Sequence, residues 1–204
     1  MSEQLESRIL ISNPKSTTQS ALLEGLLTFW RTKKIRKYIS GKVVLDFGCG
    51  EHLQTLRSIR SDIKKGLGCD ILFGGMPPQV TEEKFKLFGS LAEIDEKIDC
   101  IISLACFEHM ESNELVTILQ DLRRITEKNG YIVGTVPTPP AKPILEFLSY
   151  RLRLIDSTQI RDHKVYYDKQ LLSETVALSG WKVKEYRRFQ FGLNSFFKLE
   201  KSGE

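Results

Sequence analysis

A chain of 204 residues with 41% hydrophobic content is long enough for one well-filled core and short for two. Its apolar runs fall short of the roughly 18 to 20 residues that span a bilayer, and the polar opening Met1-Ser2-Glu3-Gln4 lacks the character of a secretory leader, so a single cytosolic domain with no membrane span is expected. The net charge of +4 is small and its acids and bases interleave, which leaves no footprint for a nucleic-acid partner.

In chain order, residues 1–19 are polar around Ile9, Leu10 and Ile11 and read as a loosely held arm. From Ser20, Leu22, Leu23, Leu26, Leu27, Trp30, Ile35 and Ile39 recur near helical spacing. Arg31, Lys33, Lys34, Arg36 and Lys37 crowd the second half of this helix. Such a run suits a positive rim for an acidic partner or a solvated face that complements the negative helix end. The second reading is preferred, because charge runs of this size are common on helix faces.

After Ser40-Gly41 the apolar run Val43-Val44-Leu45 predicts a strand buried on both faces, with Asp46 where it emerges at the carboxyl edge of a parallel sheet. Gly48 and Gly50 let the chain turn tightly and bring backbone close to a ligand. A dinucleotide fingerprint requires a third glycine, where this chain has Leu53. With Asp46 at the strand end and Glu51 and His52 at the next helix entrance, negative charge stands where phosphates would dock, an arrangement suited to a cationic ligand. Leu53, Leu56 and Ile59 form a short returning helix, and Gly66 to Asp70 a second parallel strand. Asp70 falls about 20 residues after the glycines, where an acid accepts hydrogen bonds from ribose hydroxyls.

S-adenosylmethionine is a cationic nucleoside of that kind, and Val44-Leu45-Asp46-Phe47-Gly48-Cys49-Gly50 resembles the cofactor motif of class I S-adenosylmethionine-dependent methyltransferases. Further on, Phe85 to Phe88 reads as a third strand and Ile98 to Leu104 as a fourth; Asp99 to His109 resembles this family's fourth strand and the Glu-His loop after it. The resemblance implies that Ile71 packs on the adenine and that Ser90 stands where relatives often carry an acid for the adenine amine, with the Leu91 backbone beside it. His109, just beyond the fourth strand, is expected at the edge facing the methyl group, and Phe107, His109, the Pro137 to Pro140 exit and the His163 segment are expected to line the acceptor pocket. Cofactor contacts are thus expected from Asp46, Gly48, Cys49, Gly50, Asp70, Ile71, Ser90, Leu91, Leu104 and Phe107.

Ser112 opens a helix through Leu119, Leu122 and Ile125, with Asn129-Gly130 expected as its left-handed cap. Tyr131 to Val136 is a fifth strand, broken by Pro137 and the Pro139-Pro140 pair. A helix follows through Ile144, Leu145, Leu148 and Leu152, then one from Leu171 to Ser179 capped by Gly180; Trp181–Phe189 and Ser195–Lys201 alternate as two strands joined near Gly192. The expected fold is therefore α/β: a Rossmann-like doubly wound sheet, mostly parallel with an antiparallel C-terminal pair, and helices on both faces. Residues 1–40 would be arm and helix, 41–136 the cofactor core and 137–204 the substrate side.

Cys49, Cys69, Cys100 and Cys106 form no CxxC pair, so buried reduced thiols are expected in place of zinc or disulfides. No His/Asp/Glu cluster has convincing metal-ligand spacing, and no metal is expected. His109 and His163, the latter in Asp162-His163 near Tyr166, are the candidate bases. The expected reaction is methyl transfer to a small-molecule or saccharide-like acceptor, at oxygen. A non-catalytic cofactor-binding module on the same fold and a nicotinamide-dependent oxidoreductase remain the alternatives, and the absent third glycine weighs against the second.

Overall fold

A computed structural model of the chain describes residues 18–81, 84–143 and 164–203, with side chains from residue 29 onward. The polar arm up to residue 17, the helix expected through Ile144 to Leu152, and His163 lie outside the described residues. The elements are α1 (Thr18–Ile39), β1 (Val43–Phe47), α2 (Gln54–Ile59), β2 (Lys65–Cys69), β3 (Gln79–Val80), β4 (Lys86–Phe88), β5 (Ile98–Leu104), α3 (Ser112–Ile125), β6 (Thr126–Pro137), α4 (Lys169–Ala177), β7 (Trp181–Phe189) and β8 (Asn194–Lys201).

The eight strands form one sheet in the order β3-β4-β2-β1-β5-β6-β8-β7. β4, β2, β1, β5 and β6 run parallel, while β8 joins β6, and β7 joins β8, antiparallel. β1 thus lies in the parallel block, with a neighbour on each side, which is why its Val44 and Leu45 are both fully buried. Side chains alternate across the sheet: Val43, Leu45 and Phe47 face one core and Val44 the other. The first core is completed by Leu115, Leu119 and Leu122 of α3, Leu172 and Val176 of α4, and Trp181. The second is completed by Ile35 and Ile39 of α1 and Leu56 and Ile59 of α2. Helices therefore cover both faces, as the sequence pattern predicts. The buried indole of Trp181 donates to the Leu119 carbonyl at 2.8 Å, tying β7 to α3.

Two details depart from expectation. The segment after α3 enters β6 directly at Thr126, and Asn129-Gly130 is not a left-handed cap. Gly130 is needed for another reason: a Cβ there would stand 2.9 Å from the Ile98 carbonyl oxygen, where β6 bulges against β5. The stretch before the third parallel strand contains β3, which pairs antiparallel with β4 at the sheet edge through Gln79 and Val80. Two residues with no apolar alternation carry no periodic signal.

Candidate active site

The parallel strands deliver their exits to one edge. Asp46, aligned with Gly68 of β2 and Ile102 of β5, is 2% exposed, and its Oδ2 has no hydrogen-bond partner. Burial raises its pKa to about 7, and the Asp70 carboxylate adds to the rise.

The two glycines that follow do different work. Gly48 has φ 81°, its N–H donates to the Cys69 carbonyl at 2.9 Å, and a Cβ would approach Cys106 Sγ to 2.6 Å, so the loop after β5 requires glycine here. Gly50 has φ 64° and nothing within 4 Å of where its Cβ would stand. Gly50 N–H donates to Asp70 Oδ2 at 2.9 Å, and the other oxygen of Asp70 accepts from Leu72 N–H at 3.1 Å. Asp70 thereby fastens the glycine loop to the turn after β2. Ile71 on that turn is 85% exposed, free to pack on a flat ring. The Cys49 thiol points away from this opening into the second core, where it limits Gly68: a Cβ there would lie 2.8 Å from its sulfur.

At the exit of β4, Ser90 Oγ accepts from Ala92 N–H at 3.2 Å and caps the short turn containing the buried Leu91. At the exit of β5, Leu104 is half-buried, and the turn Phe107–His109 follows. The Phe107 ring is fully buried and stacked on Phe197 with centroids 5.3 Å apart. It supports the site from within the core, which corrects the expectation that this side chain lines the pocket. His109 is half-buried, and its N–H donates to the Cys106 carbonyl at 3.1 Å. Lys164 and Val165 N–H groups both donate to the Glu108 carbonyl, at 2.7 and 3.2 Å, so the chain beyond residue 163 docks on this same turn.

Two charged groups escaped the sequence reading. Glu108 is 1% exposed, its Oε2 has no hydrogen-bond partner, and burial raises its pKa to about 7 against the lowering influence of Arg31. Arg31, from the inward face of α1, has a buried Nε without a partner; burial lowers its pKa and Glu108 opposes that. Arg31 had been grouped with its exposed basic neighbours. Its distinguishing signal was position: Arg31 and Ile35 are four apart, on one helix face. Leu53, standing where the dinucleotide glycine would be, is buried and held at φ 51°, a costly left-handed conformation for a leucine.

The four thiols are free and held in their protonated form by their surroundings. Burial drives Cys49, Cys100 and Cys106 well above the ordinary thiol range and Cys69 to about 12. Among the described residues no group of three or more His, Cys, Asp or Glu is arranged to hold a metal ion. A surface depression of about 300 Å³ beside Lys128, Asn129, Gly130, Glu200 and Lys201 lies at the start of β6, away from the strand exits. A buried unpartnered carboxylate, a second carboxylate one strand away and an open glycine backbone can bind a cationic nucleoside; the same carboxylates repel a diphosphate.

Comparison with known proteins agrees. A methyltransferase-domain family matches residues 17–186, while no curated protein matches the chain. Among solved structures, a methyltransferase of calicheamicin biosynthesis in its S-adenosylhomocysteine-bound form superimposes with TM-score 0.64 at 12% identity, over 88% of this chain and 55% of its own. A mitomycin 7-O-methyltransferase gives 0.62 at 11%, over 86% and 54%. The magnesium protoporphyrin IX methyltransferase of Synechocystis PCC 6803 gives 0.55 at 11%, over 98% and 95%. The chain thus spans about half the length of the first two. With the family match covering most of its sequence, the chain belongs to the class I S-adenosylmethionine-dependent methyltransferases.

Proposed function

We propose that the protein transfers a methyl group from S-adenosylmethionine to a hydroxyl of a small-molecule or saccharide-like acceptor, with Asp46 and Asp70 dividing the cofactor between them. The observation that carries this is the buried Asp46 carboxylate, which lacks a partner beside a fully committed Asp70. Gly50 and the exposed Ile71 frame the opening between them. The methionine end of the cofactor is zwitterionic. Arg31 offers a partner for its carboxylate, and Asp46 and Glu108 offer partners for its amine. Asp70 would exchange its bond to the Gly50 amide for ribose hydroxyls. Ile71 would cover the adenine, and Ser90 with the Leu91 backbone would meet its edge. Cys49 and Gly48 would contribute backbone, and Leu104 an apolar wall.

The cofactor supplies an electrophilic methyl carbon on a cationic sulfur. The chain's task is alignment, worth roughly 7 to 11 kcal/mol when the reacting atoms are held in line. With the cofactor bound, its methyl group would be held for transfer to the acceptor oxygen, the bonding pair leaving with sulfur, and the chain's own part would be to take the hydroxyl proton on a base. His109, at the exit of β5, is assigned that role; His163, one residue before the Lys164 that bonds Glu108, is the second candidate. Support for a small organic acceptor comes from relatives in fold named for natural-product methylation.

Calorimetric titration with S-adenosylmethionine and with NAD, followed by S-adenosylhomocysteine release over a panel of hydroxylated acceptors, tests the reading. Binding of S-adenosylmethionine alone and acceptor-dependent release are expected. Binding without release from any acceptor would make the protein a cofactor-binding module instead.

A further inference from the structure

We propose that the outer face of α1 and the β7–β8 turn form one docking surface for an anionic lipid bilayer, which turns the strand exits toward the membrane. At about 100° per residue, Phe29, Trp30, Lys33, Lys34 and Lys37 share one helix face, opposite the buried Thr32, Ile35, Tyr38 and Ile39. Phe29 is 59% and Trp30 42% exposed, their rings meeting edge-on at 6.2 Å, with Lys33 Nζ 5.8 Å from the Trp30 ring. Lys34 Nζ stands 5.5 Å from the Phe189 ring, which makes the hairpin end continuous with the helix face. Phe191 then projects fully into solvent from a turn in which Gln190 and Phe191 are both left-handed, φ 51° and 56°. A turn that holds two non-glycine residues in that region to present a bare phenyl ring stores strain where no packing repays it.

Charge and shape identify the partner. Among the described residues, the acids that bond this helix are already engaged, Glu185 by the Tyr38 hydroxyl at 3.0 Å and Arg187 at 3.1 Å and Asp62 by Arg36 at 3.4 Å, so Lys33, Lys34 and Lys37 present positive charge. Lysines with interleaved aromatic rings on one helix face match an anionic interface, where each cation gains from the surface potential and the rings enter the headgroup boundary. Phe191 protrudes, whereas strand-binding proteins stack bases along a groove. Docking is peripheral, since among the described residues no helix is long and apolar enough to cross a membrane. The turn also touches the site's edge: Thr138, just beyond β6, donates to the Leu193 carbonyl at 3.0 Å and to that of Gly192 at 2.6 Å. The surface itself does not depend on the methyl-transfer reading, and its test measures lipid binding alone.

The test is co-sedimentation of the full chain with vesicles of phosphatidylcholine, with and without phosphatidylglycerol. Binding to the anionic vesicles alone, weakened by salt, is expected. Lys33→Gln and Lys34→Gln should each lower the partition coefficient about fivefold, and Phe191→Ser about tenfold, with unchanged circular dichroism and unchanged cofactor affinity. Trp181 is fully buried, so a lipid-induced blue shift in emission reports Trp30. No sedimentation, equal binding to both vesicles that the variants leave intact, or displacement from vesicles by a single-stranded oligonucleotide would each overturn the proposal.

Discussion

Asp46 and Asp70 leave neighbouring strands at the same sheet edge, yet the fold treats them oppositely. Asp70 is half-exposed and accepts two backbone N–H groups; Asp46 is nearly sealed and has an oxygen with no partner. One carboxylate holds the loops in place before any ligand arrives. The other bears an electrostatic cost that a cation would relieve. Shared residue type and shared strand position therefore do not imply a shared role, and stability and binding should separate when each is changed.

The largest effect is expected at Asp70. Asp70→Ala removes the acceptor for both Gly50 and Leu72 amides, and hydrogen bonds to a charged group contribute about 1.5 to 3 kcal/mol each. With partial solvent exposure as a discount, a loss of about 2 kcal/mol in unfolding free energy is expected, together with an S-adenosylmethionine affinity lower by about a hundredfold. Denaturant titration and calorimetry read the two quantities. Unchanged stability would show that the two amide bonds do not organise the loop.

Asp46→Asn should move stability and binding in opposite directions. The amide keeps the shape and removes a buried charge, so the free chain should gain about 1 to 3 kcal/mol at pH 8, while cofactor affinity falls about tenfold or more. A variant that loses both would mean that Asp46 is satisfied in the free protein.

The pH dependence follows from the same difference. Both Asp46 and Glu108 have folded-state pKa values raised to about 7, so between their ordinary values near 4 and 7 the folded chain retains protons that the unfolded chain has released. Stability of the free chain therefore falls as pH rises through that window. If a cationic cofactor selects the ionised form, its affinity rises over the same interval, by up to about tenfold per pH unit for each group. Titrations at pH 6, 7 and 8 should show the rise in the wild type and a shallower one in Asp46→Asn.

Much of this was legible before the fold was known, for identifiable reasons. Val43 to Gly50 changes character from apolar run to acid to glycine within a few letters, and Ile98 to Leu104 is long and apolar, so both strands and the edge they share could be placed. The mutual influence of Arg31 and Glu108 was not legible because 77 positions separate them and only the packing of α1 against the sheet brings their charges within reach. Gly130 was misread because a glycine after a helix has the same letters whether it caps the helix or admits a neighbouring carbonyl. The division of labour between Gly48 and Gly50 depends on Cys106, which no local pattern connects to either.

The smallest effect expected is a gain. At the third exit, after β4, the chain has Ser90 where a carboxylate would complete the series of strand-end acids, and its hydroxyl already caps the turn through Ala92 N–H. Aspartate is as good a cap as serine, so Ser90→Asp should leave the melting temperature within about a degree, since a change of a few tenths of a kcal/mol is all that cap exchange implies. It adds a charged acceptor for the adenine amine at an exposed position, where a charge-assisted bond is discounted by solvent, and a rise in cofactor affinity of about threefold is expected. A fall instead would mean that a third negative charge near Asp70 and Glu93 outweighs the added contact, and that this exit has reached the limit of the acidity its neighbours tolerate.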